Sequence, residues 1–384
     1  MTDAFRWHPK ARFFDAKAQE YHPGAQAAVV AANAGALGQV IGQTAFRVGA
    51  LHAPAPDVAD VPVFETLTSG STGKPKRILR SQASWIASFN VNARFGIGPE
   101  ARVAVLGGLE QSLALYGAIE GLHLGAEVHL LDGLRPDRQR QALAARRISH
   151  LYAAPAQLRL LLESSGACPD LLLVLVGGSK LDPALRAGLQ AMAPSARVLE
   201  FYGAAETSFI TLADAETPEG SVGRAYPGVQ IDLVPDGKVW VKSPYLFMGY
   251  AGSERSEDWR DGWLSVGEVG RLQDGYLYLR GRAGRMVTVA DQNVFPEEIE
   301  TLLQSLPGVT RAAVLPVPDA RRGVVLVAML QGDNSAHDAI LAILRAELGP
   351  LKAPKALIWL QDWPLLPSGK TDLRALEALA KWPV

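Results

Sequence analysis

The chain has 384 residues, of which 48% are hydrophobic and 20% are charged, and its formal net charge is −1. This length is typical of two or three domains, and this apolar fraction is large enough to form a buried core. The near-neutral charge predicts no binding to nucleic acid. The single cysteine, Cys168, excludes an internal disulfide and a zinc site built from cysteines.

The N-terminal region carries no targeting signal that can be recognised. Residues 1–6 lack the apolar run of a signal peptide, and no stretch approaches the roughly 20 apolar residues that a membrane-spanning helix needs. We therefore expect a cytoplasmic protein without a membrane span. Within the Ala- and Gly-rich residues 1–60, the segment 25–40 is expected to be helical, and the pattern assigns no function to this region.

Short apolar segments alternate with amphipathic segments between residues 100 and 203. The predicted strands are 102–106, 127–131, 148–152, 171–176 and 197–201, and the predicted helices are 112–124, 137–147, 155–164 and 183–192. Asp182 followed by Pro183 is typical of a helix N-terminus. The alternation indicates βαβ units and a mostly parallel sheet covered on both faces.

The pattern changes after residue 220. Short alternating runs at 239–242 and 276–279 indicate a small β region, and the Gly- and Arg-rich segment 280–284 is interpreted as a turn at a domain boundary. The last hundred residues predict an α+β domain with helices at 296–306 and 336–348 and strands at 311–315, 324–330 and 356–360. The fold class is therefore α/β, with doubly wound, mostly parallel sheets in an N-terminal domain, 1–281, and a small α+β C-terminal domain, 282–384.

The strongest local motif is a loop of nine residues that suits a phosphate group. It consists of Thr68, Ser69, Gly70, Ser71, Thr72, Gly73, Lys74, Pro75 and Lys76. Glycines let backbone N–H groups approach an anion, hydroxyls add donors, and lysines supply positive charge. The loop differs from a Walker A motif, because the glycines are too close together and proline follows the first lysine.

This loop resembles the phosphate-binding signature of the adenylate-forming superfamily, which includes acyl-CoA synthetases, peptide-synthetase adenylation domains and luciferases. Further similar segments follow in the family's order between residues 64 and 374. About 65 residues precede the loop, which is roughly half or less of what larger members have. The resemblance therefore implies a short member with a reduced N-terminal region.

Residues 201–207 resemble the family's Tyr-Gly-x-Thr-Glu segment. By this resemblance Tyr202 and Gly203 contact the adenine nucleotide, and Glu206 is a catalytic residue that ligates the Mg²⁺ on ATP, for which a carboxylate is a suitable ligand. Ala205 stands where the family usually has threonine.

The acyl pocket is predicted from two further segments. Gly177 and Gly178 resemble the family's glycine pair between the adenine and acyl pockets, with Gly178 on the nucleotide side. Gln111 and Ser112 begin a helix where many members place a gating histidine or aromatic residue. With Ala204 these residues predict a mainly apolar pocket, and aryl, short-chain and medium-chain acids all remain open.

The ribose contacts and the hinge are predicted by two segments that follow. Residues 262–268 resemble Gly-Trp-x-x-Thr-Gly-Asp, in which the acidic residue accepts hydrogen bonds from the ribose, and Glu268 has the longer side chain here. Residues 280–284 resemble the Gly-Arg-x-Asp hinge, so Arg282 is expected to contact the ribose and Gly284 to act as the pivot.

The C-terminal part carries the last two similarities. Residues 294–300 resemble the start of a family helix, and we interpret their glutamates as structural. Asp291 replaces a glycine beside the pantetheine tunnel. Residues 366–372 resemble the Ser-Gly-Lys segment, whose lysine, Lys370 here, neutralises the acid and the α-phosphate during adenylation.

Taken together, the resemblance implies an AMP-forming acid–thiol ligase that uses ATP and Mg²⁺. Residues 1–281 would bind ATP and the acyl group, and the mobile residues 282–384 would bring in Lys370. A small carboxylic acid would become an acyl-adenylate with release of pyrophosphate, and then a thioester of CoA or of a carrier-protein phosphopantetheine.

Three alternatives remain open. The protein is an adenylase that makes no thioester, a ligase specific for an acyl carrier protein, or a non-catalytic nucleotide-binding protein of the same fold. A basic cluster is either a solvated helix face or a docking site for an acidic carrier protein; it consists of Arg135, Arg138, Arg140, Arg146 and Arg147. The oligomeric state is also undetermined.

Overall fold

The computed structural model describes residues 4–67, 76–251, 259–265, 267–289, 292–319, 323–366 and 369–380. The chain divides into two compact units. The first contains Met1–Asp232, Trp240–Val266 and Gln273–Leu277, and the second contains Leu233–Val239, Gly267–Leu272 and Tyr278–Val384.

The secondary structure is numbered in chain order. The strands are β1 (Arg12–Phe14), β2 (Glu20–Tyr21), β3 (Val29–Val30), β4 (Ala45–Val48), β5 (Val63–Leu67), β6 (Arg77–Ser81), β7 (Arg102–Val105), β8 (Glu127–Leu130), β9 (His150–Ala153), β10 (Leu173–Val176), β11 (Arg197–Ala204), β12 (Ser208–Ala213), β13 (Arg224–Ala225), β14 (Gln230–Leu233), β15 (Val239–Lys242), β16 (Gly249–Tyr250), β17 (Trp259–Arg260), β18 (Trp263–Leu264), β19 (Glu268–Gln273), β20 (Tyr276–Arg282), β21 (Val287–Val289), β22 (Gln292–Val294), β23 (Val309–Asp319), β24 (Gly323–Gly332) and β25 (Ala356–Trp359). The helices are α1 (Ala34–Leu37), α2 (Gln82–Asn92), α3 (Ser112–Leu124), α4 (Pro136–Ala145), α5 (Pro155–Leu162), α6 (Pro183–Met192), α7 (Pro296–Ser305), α8 (His337–Lys352) and α9 (Leu373–Leu379).

The large sheet of the first unit has parallel strands at its centre. Its order there is β12-β11-β10-β9-β7-β8-β1-β2, and the six strands from β11 to β1 run parallel. β12 and β2 flank this parallel region in the antiparallel sense, and β13 continues the sheet beyond β12. The predicted parallel sheet is thereby confirmed.

Helices cover both faces of this sheet, as side-chain alternation along the strands shows. Ala104 and Leu151 belong to the core cluster that includes residues of α4, α5 and α6. Their neighbours Val105 and Tyr152 face α3 instead, where a Cβ at Gly117 would lie 2.8 Å from the Tyr152 ring. Glycine at this position therefore lets α3 approach the sheet closely.

The predicted helix over residues 25–40 is wrong. Only α1 forms there, and Val29–Val30 pair with β4 as a parallel strand. Two β-branched residues favour the extended backbone, and the side chain of Asn33 then caps α1 by accepting a hydrogen bond from the backbone N–H of Ala36. Sheet pairing has overridden the helical tendency of the many alanines.

A second, smaller sheet of the first unit holds the ends of the predicted phosphate loop. Its order is β16-β6-β5-β4-β3, and β5 and β6 are antiparallel with Leu67 opposite Arg77. The loop is therefore the connection of a β-hairpin. Thr68, Ser69, Gly70, Ser71, Thr72, Gly73, Lys74 and Pro75 lie outside the described residues.

The second unit contains the hairpin from β19 to β20 except Gln273–Leu277, the hairpin β21-β22, and a three-stranded sheet of order β23-β24-β25. Its main core is formed by residues of α7, α8 and the last sheet. The predicted turn at 280–284 is wrong in its first half, because β20 continues to Arg282 before a 3₁₀ turn over Ala283–Arg285. Pairing with β19 keeps this Gly- and Arg-rich segment extended.

The α/β fold class predicted from the sequence is confirmed, with a large sheet domain and a separate C-terminal domain. The boundary at 281/282 stays a prediction. Within the described part of the chain, no helix has both the length and the apolar character that a membrane span requires.

Candidate active site

Glu206 lies at the tip of the hairpin between β11 and β12. The strand β11 includes Tyr202, Gly203 and Ala204, and its pairing with β12 shifts at Tyr202/Gly203. The Thr207 hydroxyl accepts a hydrogen bond from the backbone N–H of Ala204 over 3.0 Å, which closes the turn. A Cβ at position 203 would lie 1.7 Å from the Ser208 carbonyl oxygen, so only glycine fits there.

Tyr250 links Glu206 to the last residue of the predicted phosphate loop. Its hydroxyl donates a hydrogen bond to Glu206 Oε1 over 2.8 Å. Lys76 Nζ lies 4.7 Å from the centroid of the same ring, within the range of a cation–π interaction. The structure thus brings Lys76 and Glu206 together around a tyrosine that sequence reasoning missed. Tyr250 stands in β16 beside β6, and no local motif indicates that pairing.

Arg80 is a second residue that sequence reasoning missed. It is fully buried, and its guanidinium donates hydrogen bonds to the Ala205 carbonyl at 2.5 Å, to Ser208 Oγ at 2.8 Å and to the Tyr245 carbonyl. Burial lowers the pKa of Arg80 to about 9, and the nearby charge of Glu206 opposes this shift. A cation therefore lies directly beneath the turn that carries Glu206.

Gly177 and Gly178 follow β10 and differ in their surroundings. A Cβ at Gly177 would lie 2.1 Å from the Phe201 ring, whereas one at Gly178 would meet nothing within 4 Å. Gly178 has a φ of +97°, a left-handed conformation that favours glycine. Gly177 thus allows close packing on Phe201, and Gly178 forms an open, exposed turn. Their pocket roles stay predictions.

Gln111 and Ser112 stand at the N-terminus of α3. The Ser112 hydroxyl donates a hydrogen bond over 3.0 Å to the carbonyl of Leu67, the last residue of β5. The helix that was predicted to begin the acyl pocket is therefore tied to the strand that enters the phosphate loop. The Gln111 side chain lies close to Gly107, because a Cβ added at position 107 would be 2.4 Å from Gln111 Oε1.

In the second unit, Glu268 and Arg282 form an ion pair. Arg282 Nε lies 3.1 Å from Glu268 Oε1, and the exposed fractions of the side chains are 51% and 10% respectively. The backbone N–H of Ala283 donates to the Gly267 carbonyl over 2.8 Å and fixes the same two segments. Two residues predicted separately as ribose contacts are thus neighbours, and their ribose roles stay predictions.

Gly284 lies in the 3₁₀ turn that follows Arg282. A Cβ there would meet nothing within 4 Å, and its φ is not in the left-handed region. The next residue, Arg285, pairs with Glu297 at 3.2 Å and Glu300 at 2.7 Å, and burial raises the pKa of Glu297. These contacts tie the predicted hinge to α7.

Lys370 belongs to a tight turn of the second unit. The backbone N–H of Leu366 donates to the Lys370 carbonyl over 2.8 Å, and Leu365 and Thr371 form an isolated bridge. Gly369 has a φ of +78°, which suits this turn. Pro367, Ser368 and Asp291 lie outside the described residues.

The chemistry of Glu206 fits a magnesium ion that arrives on a nucleotide. The described residues contain no group of three or more His, Cys, Asp or Glu side chains able to hold a metal by themselves. Protein-bound Mg²⁺ commonly takes only one or two carboxylates and completes its shell with phosphate oxygens and water. Glu206, with one oxygen already oriented by Tyr250, can supply that carboxylate.

The basic cluster is mostly used for local structure. Arg140 is buried and donates to the carbonyls of α5 and the loop after it. Arg146 donates to the Asp15 and Ala16 carbonyls, and Arg147 pairs with Asp170. The side chains of Arg135 and Arg138, beside Asp137, are highly exposed, as is that of Arg147. The docking interpretation of the cluster therefore stays a prediction that concerns these three exposed arginines.

Comparison with known proteins identifies the family. Residues 10–251 match the model of the AMP-binding enzyme family, and residues 298–370 match that of the AMP-binding enzyme C-terminal domain. The predicted resemblance to adenylate-forming enzymes is thereby confirmed. The chain belongs to the AMP-binding enzyme family.

A curated relative and two solved structures support this assignment. The uncharacterized acyl–CoA ligase YhfT of Bacillus subtilis (strain 168) is 32% identical over 336 residues, which are 84% of this chain and 68% of the relative. The amide bond synthetase McbA from Marinactinospora thermotolerans has a TM-score of 0.74 at 25% identity, over 88% of this chain and 75% of that one. ATP-bound MatB from Rhodopseudomonas palustris has a TM-score of 0.72 at 25% identity, over 85% and 70%.

Proposed function

We propose that the protein activates a small carboxylic acid with ATP, forming an acyl-adenylate and pyrophosphate, and then transfers the acyl group to a thiol. The acceptor is CoA or the phosphopantetheine of a carrier protein. Family membership supports the first half-reaction, and the similarity to a relative named as an acyl–CoA ligase supports the second.

The observation that carries this proposal is the contact of Lys76 and Glu206 with one tyrosine. Lys76 ends the predicted phosphate loop, and Glu206 lies in the turn after β11. A cation over the ring of Tyr250 and a carboxylate at its hydroxyl suit the phosphates of a nucleotide and the magnesium ion that accompanies them. When bound, that ion would neutralise charge on the β- and γ-phosphates.

The remaining residues bind and orient the reactants in this proposal. An oxygen of the acid attacks the α-phosphorus, and the bond from that phosphorus to the bridging oxygen of pyrophosphate breaks. The ammonium group of Lys370 stabilises the negative charge that develops there. Glu268 and Arg282 hold the ribose, Tyr202, Gly203 and Gly178 hold the adenine nucleotide, and Gln111, Ser112, Gly177 and Ala204 line the acyl pocket.

The same proposal divides the chain at 281/282, with Gly284 as the pivot that moves Lys370 between the half-reactions. Since the reaction consumes ATP, we place the protein in the cytoplasm. The identity of the acyl acceptor is the open part. Because McbA is named as an amide bond synthetase, an amine belongs in the test beside the two thiols.

The deciding experiment is ATP–pyrophosphate exchange with a panel of aryl, short-chain and medium-chain acids. We expect exchange with at least one acid and its loss in Lys370→Ala. Full activity of that variant would refute the assigned mechanism. ATP binding without exchange for any acid would favour the non-catalytic alternative, which the departures at Ala205, Glu268 and Gly284 support.

A second assay identifies the acceptor. The acid selected by exchange is incubated with ATP and, in turn, with CoA, with a phosphopantetheinylated carrier protein and with an amine. Formation of acyl-CoA supports the CoA-dependent ligase. If product forms only with the carrier protein, the protein is the carrier-specific ligase. If product forms only with the amine, the protein is an amide-forming enzyme. If no acceptor gives product, the adenylation-only alternative is assigned.

A further inference from the structure

We propose that Tyr250 is a positioning residue that orients the carboxylate of Glu206 toward the magnesium ion carried by the nucleotide. This inference rests on the proposed function of Glu206 and deepens it. Tyr250 lies outside the motifs from which the site was predicted, and it reaches Glu206 across 44 residues of sequence.

Glu206 is held by the Tyr250 segment at both its backbone and its side chain. The backbone N–H of Phe247 donates to the Glu206 carbonyl over 2.8 Å, and the Tyr250 hydroxyl donates to Oε1 over 2.8 Å. Within the described parts of the chain, the other carboxylate oxygen, Oε2, accepts no hydrogen bond. The hydrogen bond therefore orients the carboxylate through one oxygen and leaves the other for a cation.

The phenol itself is held by the strand that leaves the phosphate loop. Tyr250 pairs with Ile78 of β6, and its ring stacks under the ammonium group of Lys76 at 4.7 Å. The ring also packs edge to face against Phe247, with 5.2 Å between the ring centroids, and these contacts together limit its rotation. Its hydroxyl is thus a preorganised donor.

Arg80 fixes the position of Glu206 relative to Tyr250 from below. One guanidinium bonds the Ala205 carbonyl, next to Glu206, and the Tyr245 carbonyl, at the start of the segment that ends in Tyr250. Because this side chain is fully buried, water does not compete for these bonds. The distance between the two segments is set independently of any ligand.

A hydrogen bond to a metal-ligating carboxylate typically changes metal affinity or activity by about 10- to 100-fold. Tyr250→Phe removes only the hydroxyl and keeps the ring beneath Lys76. We therefore expect the affinity for ATP in the presence of Mg²⁺ to fall about tenfold or more. The affinity for ATP in EDTA should stay as in the wild type, because the hydroxyl acts through the carboxylate and the ion.

The experiment is calorimetric titration of ATP into the full-length wild type, Tyr250→Phe, Glu206→Gln and the double variant, each with Mg²⁺ and with EDTA. Tyr276→Phe is the matched control, since that ring also lies under a cation, Arg224, at 3.9 Å but contacts no predicted site residue in the described chain. Thermal melting verifies that every variant is folded. In the Glu206→Gln background, the additional Tyr250→Phe change should have no further effect.

Three results would overturn the inference. The first is that Tyr250→Phe binds Mg·ATP as tightly as the wild type, and the second is that it loses the same affinity for ATP with Mg²⁺ and with EDTA. The third is that Tyr250→Phe lowers the affinity for Mg·ATP as much in the Glu206→Gln background as in the wild type. They leave the proposed function standing as long as Glu206→Gln abolishes the Mg²⁺ dependence. If Glu206→Gln leaves the Mg²⁺ dependence unchanged, the magnesium role assigned to Glu206 fails. If the wild type shows neither ATP binding nor pyrophosphate exchange, the proposed function fails instead.

Discussion

Glu268 and Arg282 are each other's partners, with 3.1 Å between Glu268 Oε1 and Arg282 Nε. The glutamate side chain is largely buried, whereas half of the arginine side chain is exposed. The arginine therefore fixes one carboxylate oxygen and has donors left toward solvent. In such a pair the carboxylate can accept a hydrogen bond from one ribose hydroxyl, and the guanidinium can donate a hydrogen bond to the adjacent ribose hydroxyl.

Replacing Arg282 should weaken nucleotide binding more than catalysis. We expect Arg282→Gln to raise the KM for ATP about tenfold, with kcat nearly unchanged, because a ribose contact is the same in the ground state and the transition state. Pyrophosphate exchange at varied ATP concentration measures both constants. Arg280→Gln is the control, since Arg280 pairs with Glu298 at the surface. A fall in kcat alone would contradict the ribose assignment.

Lys370 should show the opposite behaviour. Lys370→Ala removes a cation expected to act on the developing charge, so adenylation should fall roughly 100- to 1,000-fold. ATP binding, measured by calorimetry, should be little changed. Lys355→Ala, which removes a lysine of the same unit that bonds the Pro350 carbonyl, is the control. A rise in the KM for ATP without loss of kcat would assign Lys370 to binding only.

Two glycines of the predicted site should respond differently to the same change. Gly203→Ala places a Cβ 1.7 Å from a backbone oxygen and should distort the turn that carries Glu206, whereas the space around Gly284 is open. We expect Gly284→Ala to alter stability by less than about 1 kcal/mol and to retain adenylation. Thermal melting and pyrophosphate exchange test both variants, and an active, stable Gly203→Ala protein would contradict the geometry.

The buried carboxyl of Glu120 should make stability depend on pH. It accepts hydrogen bonds from Asn92 at 2.9 Å, from Tyr116 at 3.1 Å and from Tyr152. Burial nevertheless raises its pKa from 4.5 to about 8. The stability linked to this group is complete below pH 4.5 and is lost as the pH rises toward 8, because the unfolded chain releases the proton first.

Glu120→Gln should remove this dependence. Each pKa unit corresponds to about 1.4 kcal/mol, so the wild type should lose several kcal/mol relative to the variant between pH 5 and 8. Urea unfolding at both pH values measures the difference. Burial lowers the pKa values of His123 and His129 to about 4, so their contribution to stability is lost as the pH falls. Both histidines are present in the wild type and in the variant, so this contribution cancels when the two proteins are compared. Equal pH slopes in both proteins would contradict the prediction; the exposed Glu100→Gln serves as the control.

The ion pair at the base of the phosphate-loop hairpin should matter for stability. Arg47 and Glu65 lie 2.7 Å apart, with side-chain exposures of 0% and 4%. Glu65→Gln leaves a buried guanidinium without its charge partner, which typically destabilises by about 3–5 kcal/mol. Glu20→Gln, at an exposed pair with Arg12, should change stability by less than about 1 kcal/mol. Equal free energies of unfolding for the two variants would refute this.

Much of the fold could be predicted from local signals. The bounds of α3 agree with the prediction at both ends, and α6 begins at Pro183 after the Asp182 cap, as expected. A helix start or an apolar period is encoded within a few consecutive residues, so it can be interpreted without the rest of the chain. The order of the motifs likewise sufficed to predict the family.

Other features depended on partners distant in sequence. Residues 25–40 are rich in alanine, yet Val29–Val30 became a strand because β4 offered a hydrogen-bonding edge. The segment 280–282 stayed extended for the same reason, beside β19. A hydrogen-bonded sheet edge overrides weak local propensity, and no local pattern reports it.

The sequence by itself therefore determined the chemical groups of the site: a loop of glycines, hydroxyls and lysines, the carboxylate of Glu206, and Lys370. Only the tertiary structure decided what orients Glu206. Tyr250 and Arg80 reach that turn across 44 and 125 residues. A buried arginine and a tyrosine become positioning residues only where strand pairing brings their donors to specific oxygens, and that depends on geometry rather than on residue type.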